Sequence, residues 1–468
     1  MPVTSFSALT SKLVYIITLK LIKVNNAKIN SMTTKKQVVK KVRQVLPSSA
    51  VRGLEEGYRR SRQQLVSARY GNPARGMKVI GVTGTNGKTT TINFINEILK
   101  EAGLKTAMFS TALIEIAGDT KPNELNATVP SMSLLMKFFR DARKARVDYV
   151  LLEVSSHALH QHKLDKVKFT AAVMTNITQD HLDYHHTMEE YAAVKTKLFK
   201  NNPRYIVLNR DDEWFDTFDK YPARSQKITY GTHADAEARI DHVKLYKKGS
   251  EARVVIDSNI TLELATALPG KYNVYNMTAA ASLAYLLGID LEHIVEGVAN
   301  LEGVPGRYER AVEGLSYEVI VDYAHTPDGL EKLLEAARAV TKNRVILVFG
   351  ATGDRDKAKR PIMGEIASRI ADRIFLTDEE NYTEDARAIR DQVYEGIERA
   401  GGGRKTTEIA DRREAIKKAL AIAKKDDTIL ITGLGHEKFR ITDGEPVPWN
   451  DGDVVREVLA EMGKTKQN

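Results

Sequence analysis

The sequence predicts an α/β protein: a P-loop central domain built on a parallel sheet, a C-terminal Rossmann-like domain, and a short, basic, mostly helical N-terminal region. Three observations lead there. Short apolar runs alternate with helix-patterned stretches over most of the chain, the mark of strands wrapped by helices. One run, Val79-Ile80-Gly81-Val82, passes directly into a glycine-rich turn and then an amphipathic stretch from Thr89 to Ala102, which is the strand-loop-helix order of a phosphate site. The series then restarts after the glycine-rich stretch Gly303 to Gly306.

At 468 residues the chain is too long for one ordinary core and should divide into about two or three domains. With 42% hydrophobic and 28% charged residues it has the composition of a soluble globular protein. The absence of cysteine excludes disulfides, thiolate metal sites and cysteine nucleophiles, and fits a reducing cytoplasm. The formal charge of +9 is uneven: residues 1–78 hold 16 Lys and Arg against Glu55 and Glu56. The basic pI therefore describes the head and does not make the body a nucleic-acid binder. Leu13 to Val24 is apolar but interrupted by Lys20 and Lys23, too short and too charged to span a bilayer. No signal-peptide pattern is evident, and Met32 is an alternative start.

Residues 1–77 form the basic head. Residues 78–304 form the first α/β domain, with further strands expected at Tyr149 to Leu152, Ala171 to Met174 and Tyr205 to Leu208, an antiparallel insert near Ala238 to Leu264, and a helix from Asn276 to Leu287. Residues 305–468 form the second. Its strands are expected at Glu318 to Asp322, Arg344 to Phe349, Arg373 to Thr377 and Thr428 to Thr432, with helices such as Gly329 to Val340 and Arg412 to Lys424.

The strongest local signal is Thr83-Gly84-Thr85-Asn86-Gly87-Lys88-Thr89-Thr90. Glycines let backbone N–H groups close on phosphate, the helix N-terminus adds positive potential, Lys88 neutralises the terminal phosphates and Thr89 can hold Mg²⁺. The spacing departs from the general loop, with Val82 where its first glycine belongs. Glu153 closes the Tyr149 to Leu152 run and would project beside the loop as a metal-holding carboxylate. His181, in Thr175-Asn176-Ile177-Thr178-Gln179-Asp180-His181, could bring an imidazole to a second metal, although a lone histidine at a strand end is more often structural.

These residues resemble the Mur ligase family, most closely its third-amino-acid-adding branch, over about residues 78–460. The strings are VTGTNGKTTT, LEVSSHAL, TNITQDHLDYHHTMEEYAAVKTKLF, LPGKYNVYN, VPGRYER, VDYAHTPDGL, VFGATGDRDKAKRP and GLGHEK. The resemblance implies an ATP- and Mg²⁺-dependent ligase of peptidoglycan precursor synthesis, joining a free amino acid to a muramoyl-peptide nucleotide through an acyl phosphate. It implies nucleotide contacts from Gly84 through Thr90. Lys88, His181 and Lys195 fall on catalytic positions, and Thr89, Glu153, His181 and a carbamylated Lys195 on metal positions. Asn273, Asn276, Arg307, Asp322, Tyr323 and His325 match the set that closes on the nucleotide. Thr128, Ser155, Ser156, His157, Asp378, Glu380, Tyr382, Gly433 and Glu437 match substrate positions.

Two departures stand out. Where diaminopimelate-adding relatives carry an arginine in a D-N-P-R string, this chain has Tyr382, preceded by Glu380. Losing a bidentate clamp disfavours diaminopimelate and suits a basic amino acid such as lysine or ornithine. Leu434 also replaces the family's usual lysine beside Glu437. Secondly, residues 1–77 show no strand-helix series of the family's uridine diphosphate-binding domain. The head reads either as a surface for anionic lipid or a lipid-linked diphosphate at the inner face of the membrane, or as a solvated arm or misassigned start. The resemblance implies a cytoplasmic monomer. Competing functions are a folylpolyglutamate or cyanophycin-type ligase and a non-catalytic nucleotide-binding partner subunit.

Overall fold

The structure, a computed structural model, describes Gly57 and residues 71–125 and 131–463. Apart from Gly57 and residues 71–77, the head lies outside the described residues, and so does Thr128. Eleven strands make the first sheet: β1 (Lys78–Thr83), β2 (Thr106–Phe109), β3 (Leu113–Ile116), β4 (Asp119–Pro122), β5 (Tyr149–Glu153), β6 (Phe169–Met174), β7 (Tyr205–Asn209), β8 (Gln226–Gly231), β9 (Ala238–Tyr246), β10 (Gly249–Ile256) and β11 (Ile260–Thr266). Their order is β11-β10-β9-β8-β7-β6-β1-β5-β2-β3-β4. Strand β1 lies between β5 and β6, parallel to both, so its carboxyl end opens where the ends of those two strands converge.

Alternate side chains of a strand face opposite ways, and both faces here are covered. Ile80 and Val82 pack with Ile92 and Ile95 of the helix Lys88–Glu101 and with Val274 and Met277 of the helix Lys271–Leu286. Val79, Val150 and Leu152 pack with Leu135, Met136 and Phe139 of the helix Met132–Lys144. Each such side chain removed from water contributes about 1.5–3 kcal/mol. Beyond β8 the sheet continues as the antiparallel β9-β10-β11, in the region expected for an insert. The helix expected from Asn276 begins earlier, at Lys271. Its flanks are buried nearly all round, which leaves no apolar stripe to read.

The second sheet is ordered β12-β13-β17-β14-β15-β16, from β12 (Glu309–Arg310), β13 (Glu318–Asp322), β14 (Val345–Phe349), β15 (Arg373–Leu376), β16 (Thr406–Glu408) and β17 (Thr428–Thr432). Apart from β12 it is parallel. The helices Pro327–Val340, Lys359–Ile370 and Ala386–Arg399 cover one face, and Arg412–Ile422 and Asp451–Glu461 the other. The loops after β13, β14, β15 and β17 therefore share one carboxyl edge. A hairpin, β18 (Phe439–Thr442) and β19 (Glu445–Pro448), follows the β17 loop.

Candidate active site

Strand β1 delivers the chain into the glycine-rich loop. Gly84 has φ +151°, and a Cβ there would lie 1.9 Å from Thr175 Oγ1; Gly87 has φ +81°, and a Cβ would lie 2.3 Å from Asn276 Oδ1. Both positions demand glycine on grounds of space and backbone together. The loop is tied from beneath: Thr85 N donates to the Asn176 carbonyl at 2.7 Å and Asn86 N to Asn176 Oδ1 at 2.9 Å. The helix Lys88–Glu101, with Thr89 and Thr90 buried in its first turn, starts without a side-chain cap. Its leading N–H groups are arranged as an anion site.

Lys88 Nζ donates to the Thr85 carbonyl at 2.7 Å. Burial lowers its pKa, against the opposing pull of Glu153 and Asp180. Thr89 Oγ1 donates to Glu153 Oε2 at 2.9 Å, at the end of β5. Lys195, on the helix Met188–Lys195, is fully buried; its Nζ donates to the Gly84 carbonyl at 2.6 Å and lies 4.7 Å over the Tyr191 ring. Burial, reinforced by the charge of Lys88, holds the Lys195 ammonium well below its ordinary pKa.

His181 Nε2 lies 3.1 Å from Asp180 Oδ2, and burial draws the imidazole down to about 3. Burial pushes Asp180 upward, but His181, Lys359, His325 and Lys88 together hold it well below the usual carboxylate range. Ser155 Oγ caps the short helix Ser156–His160 by accepting from Ala158 N. Ser156 Oγ lies 3.0 Å from His185 Nε2, and the His157 ring lies 4.7 Å from that of His181.

The two sheets meet at this point. Arg307 Nη2 donates to Thr89 Oγ1 at 3.2 Å, its guanidinium 4.5 Å over the Tyr323 ring. Asn86 Nδ2 donates to Asp328 Oδ2 at 2.7 Å, and Gln179 Nε2 to Asp356 Oδ2 at 3.2 Å. Asn276 accepts from the Thr91 hydroxyl at 3.2 Å and donates to Asn273 Oδ1 at 3.1 Å. Asp322 is buried with both oxygens accepting backbone amides, from Tyr308 and Ala324, and burial raises its pKa.

Between the units lies a solvent-connected cavity, with Asp180 and His181 on one wall and Tyr323, His325, Glu380, Tyr382, Gly433 and Glu437 on the other. Tyr323 and His325, expected at the nucleotide, thus face this cavity. Asp378, expected at the substrate, is instead ion-paired with Arg390 and takes no part in the cavity wall. Sequence reasoning passed over Asp180, Arg355, Asp356, Lys359 and Glu379, which also line it. The available signal was the run Asp354-Arg355-Asp356-Lys357 directly after the glycine-rich end of β14.

A phosphate loop at the fork of a parallel sheet, facing the carboxyl edge of a Rossmann-like unit across an acid-lined cavity, defines a two-unit P-loop enzyme. Comparison with known proteins makes the class specific. The Mur ligase middle domain family model matches residues 82–284, and that of the Mur ligase glutamate ligase domain matches residues 306–435. A Clostridium botulinum protein named UDP-N-acetylmuramoyl-L-alanyl-D-glutamate--2,6-diaminopimelate ligase is 40% identical over 395 residues, 84% of this chain and 80% of that one. The Bacillus velezensis protein of the same name is 38% identical over 408 residues, 86% and 82%. A solved structure with that name is 32% identical, with a TM-score of 0.59, covering 88% of this chain and 83% of that one. Mycobacterium tuberculosis folylpolyglutamate synthase, complexed with ADP and AMPPCP, has a TM-score of 0.66 at 18% identity, covering 87% and 95%, which is a likeness of fold alone.

The chain belongs to the Mur ligase family and is an ATP-dependent ligase. The non-catalytic alternative falls with that finding, and the folylpolyglutamate alternative keeps only the shared fold.

Proposed function

We propose that the enzyme adds an amino acid to a UDP-N-acetylmuramoyl-dipeptide in peptidoglycan precursor synthesis, as the names of its relatives suggest. The observation that carries the reading is the reach of Arg307 from the second unit to Thr89 of the phosphate loop. It lets one closed site grip ATP from both sides. Lys88 and the capless helix start hold the terminal phosphates, and Arg307 opposes the charge that develops as the phosphoryl group moves to the acceptor carboxylate. The amino acid in the cavity then attacks the acyl phosphate with its amine, releasing phosphate. Closure excludes the water that would otherwise hydrolyse the intermediate.

The Thr89 hydroxyl and Glu153 carboxylate, already in contact, suit Mg²⁺ beside a phosphate, and the neutral His181 with a carbamylated Lys195 suits a second ion. Bound there, the metal supplies charge neutralisation. The Lys195 environment supports the carbamate, because CO₂ adds to a neutral amine and burial favours that form. Among the described residues no helix is long and apolar enough to cross a membrane. We place the enzyme in the cytoplasm as a monomer, with the basic head as a peripheral membrane contact. Vesicle sedimentation of the full chain against one starting at Lys78 tests that contact, and equal, negligible binding removes it. For the activity, ADP release should require both UDP-N-acetylmuramoyl-L-alanyl-D-glutamate and an amino acid. Release that ignores the muramoyl acceptor, or occurs only with a folate acceptor, overturns the reading.

A further inference from the structure

The two edges of the first sheet carry opposite charge. Its parallel strands β8, β7, β6, β1, β5 and β2 lie side by side in that order. The segments leading into them, 75–78, 103–105, 144–148, 163–168, 200–204 and 220–225, therefore share the amino edge, opposite the phosphate loop. Those segments hold twelve Lys and Arg against Asp148 and Asp165, and all the cations but Lys163 are exposed. Both acids are engaged: Asp148 Oδ2 accepts from Lys105 N at 2.8 Å, and Asp165 Oδ2 lies 2.9 Å from His162 Nδ1. In the segments that leave the same strands, 84–87, 110–112, 154–155, 175–181, 210–214 and 232–237, the balance inverts to six carboxylates against Arg210. The amino edge of the second sheet shows no comparable excess: segments 311–317, 341–344, 371–372, 400–405 and 423–427 hold six Lys and Arg against four carboxylates.

The basic edge is broad. Adjacent strands lie about 4.8 Å apart, so six of them span about 24 Å. The strands are four to six residues long, which separates the two edges by about 13–20 Å, more than the Debye length of about 8 Å at physiological salt. An anionic plane beneath the amino edge thus meets its cations without the carboxylates of the other edge cancelling them. Lys78 Nζ lies 4.9 Å over the Tyr149 ring, and the Arg204 guanidinium 5.2 Å over that of Tyr205. A surface for single-stranded nucleic acid leaves such rings open for bases to stack on; here cations lie over them. Arg143 Nε donates to the Pro73 carbonyl at 3.0 Å, fixing the entry to β1 against the helix Met132–Lys144. Residues 1–70, with 14 Lys and Arg against Glu55 and Glu56, are therefore joined to the body at this same edge.

We propose that the amino edge of the first sheet is a docking surface for an anionic lipid bilayer, which seats the chain with the phosphate loop and the acid-lined cavity turned away from the membrane. Each strand brings a cation to it: Lys78, Lys105, Arg146, Lys168, Arg204 and Arg224. These side chains meet lipid phosphates, while the acidic edge is repelled by the same surface, and the two effects together set the orientation. The surface belongs to the body of the chain, so it is separate from the contact proposed for the head and does not depend on the ligase reading.

Co-sedimentation of the full chain with vesicles of phosphatidylcholine, with and without phosphatidylglycerol, at about 0.15 M salt tests the proposal. Binding should require phosphatidylglycerol. Reversing four edge charges together, Lys105→Glu, Lys166→Glu, Lys168→Glu and Arg204→Glu, should lower the partition coefficient at least about 10-fold. Lys342→Glu, Lys418→Glu, Lys424→Glu and Lys425→Glu make the same change of net charge on the second unit and should lower it less than about 3-fold. Equal losses in the two variants overturn the proposal. No loss in the edge variant also overturns it and leaves the head as the contact; no binding of the full chain overturns both contacts. Displacement of the bound chain from vesicles by a duplex oligonucleotide at equal phosphate concentration overturns the proposal in favour of a nucleic acid. Hydrogen exchange of the unsubstituted chain on vesicles makes the test independent of how the variants fold: residues 144–148, 163–168 and 200–204 should gain protection and residues 210–214 none. Protection that is absent from the amino edge, or that falls on residues 210–214, overturns the docking.

Discussion

The phosphate loop and the acid-lined cavity face each other across one junction, yet they are built on opposite principles. The loop gathers backbone N–H groups and the cations Lys88 and Arg307, and its shape is fixed by local geometry at Gly84 and Gly87. The cavity gathers carboxylates from the separate segments after β6, β14, β15 and β17, and Tyr382 in its wall has φ +51°. A site for an invariant triphosphate can be written into one short segment. A site for a particular amino acid has to be assembled, and can therefore be altered piece by piece.

Four substitutions test how far this contrast holds. Lys88→Ala should reduce kcat by at least about 1,000-fold whichever amino acid is supplied, since the phosphate half serves every substrate. A loss confined to one amino acid would erase the distinction between the halves. Lys195→Ala should cost about 100-fold or more, with partial recovery in short carboxylic acids that replace the carbamate oxygens. Full activity in the variant would remove the carbamate from the mechanism. Asp328→Ala cuts the tie from Asn86, a hydrogen bond to a charged group worth about 1.5–3 kcal/mol. It should lower amide formation about 10-fold and raise the phosphate released per amide made, because the junction seals less well. An unchanged ratio would show that closure does not depend on the tie.

The smallest effect is on stability. Burial raises the pKa of Glu380 above its ordinary value, so the charged form is disfavoured in the folded chain. The destabilising contribution is present above the raised pKa and vanishes below the ordinary carboxylate value. Glu380→Gln should therefore increase Tm by a few degrees near pH 8, and by nothing measurable near pH 4. A Tm gain that is the same at both pH values would show that charge burial is not its cause.

The fold and the phosphate half were legible because their signals are local. Val79 to Val82 followed by Gly84, Gly87, Lys88 and Thr89 specify strand, turn and helix within a dozen residues, and Glu153 closes an apolar run beside them. The cavity was legible only where one segment announced itself, as Tyr382 and Glu437 did. Arg355 and Lys359 reach their partners across loops, and Asp180 gains its surroundings from the second unit. No periodicity records such meetings. The hairpin β18–β19 carried a readable sign, Asp443-Gly444, whose φ values of +50° and +83° suit the tight turn that this dipeptide favours. It was overlooked because the flanking strands are only four residues long.

That hairpin has a consequence for how the enzyme can diversify. Asp443 exchanges hydrogen bonds with Asn381, and Ile441 N holds Glu380, while Glu445–Pro448 is exposed throughout. Residues 378–383 and the hairpin thus form a cassette braced on one side and open on the other. On the proposed function, exchanging it as a unit would retune which building block is incorporated while the ATP-handling machinery stays untouched, a route by which cell-wall chemistry can drift without the ligase losing its engine.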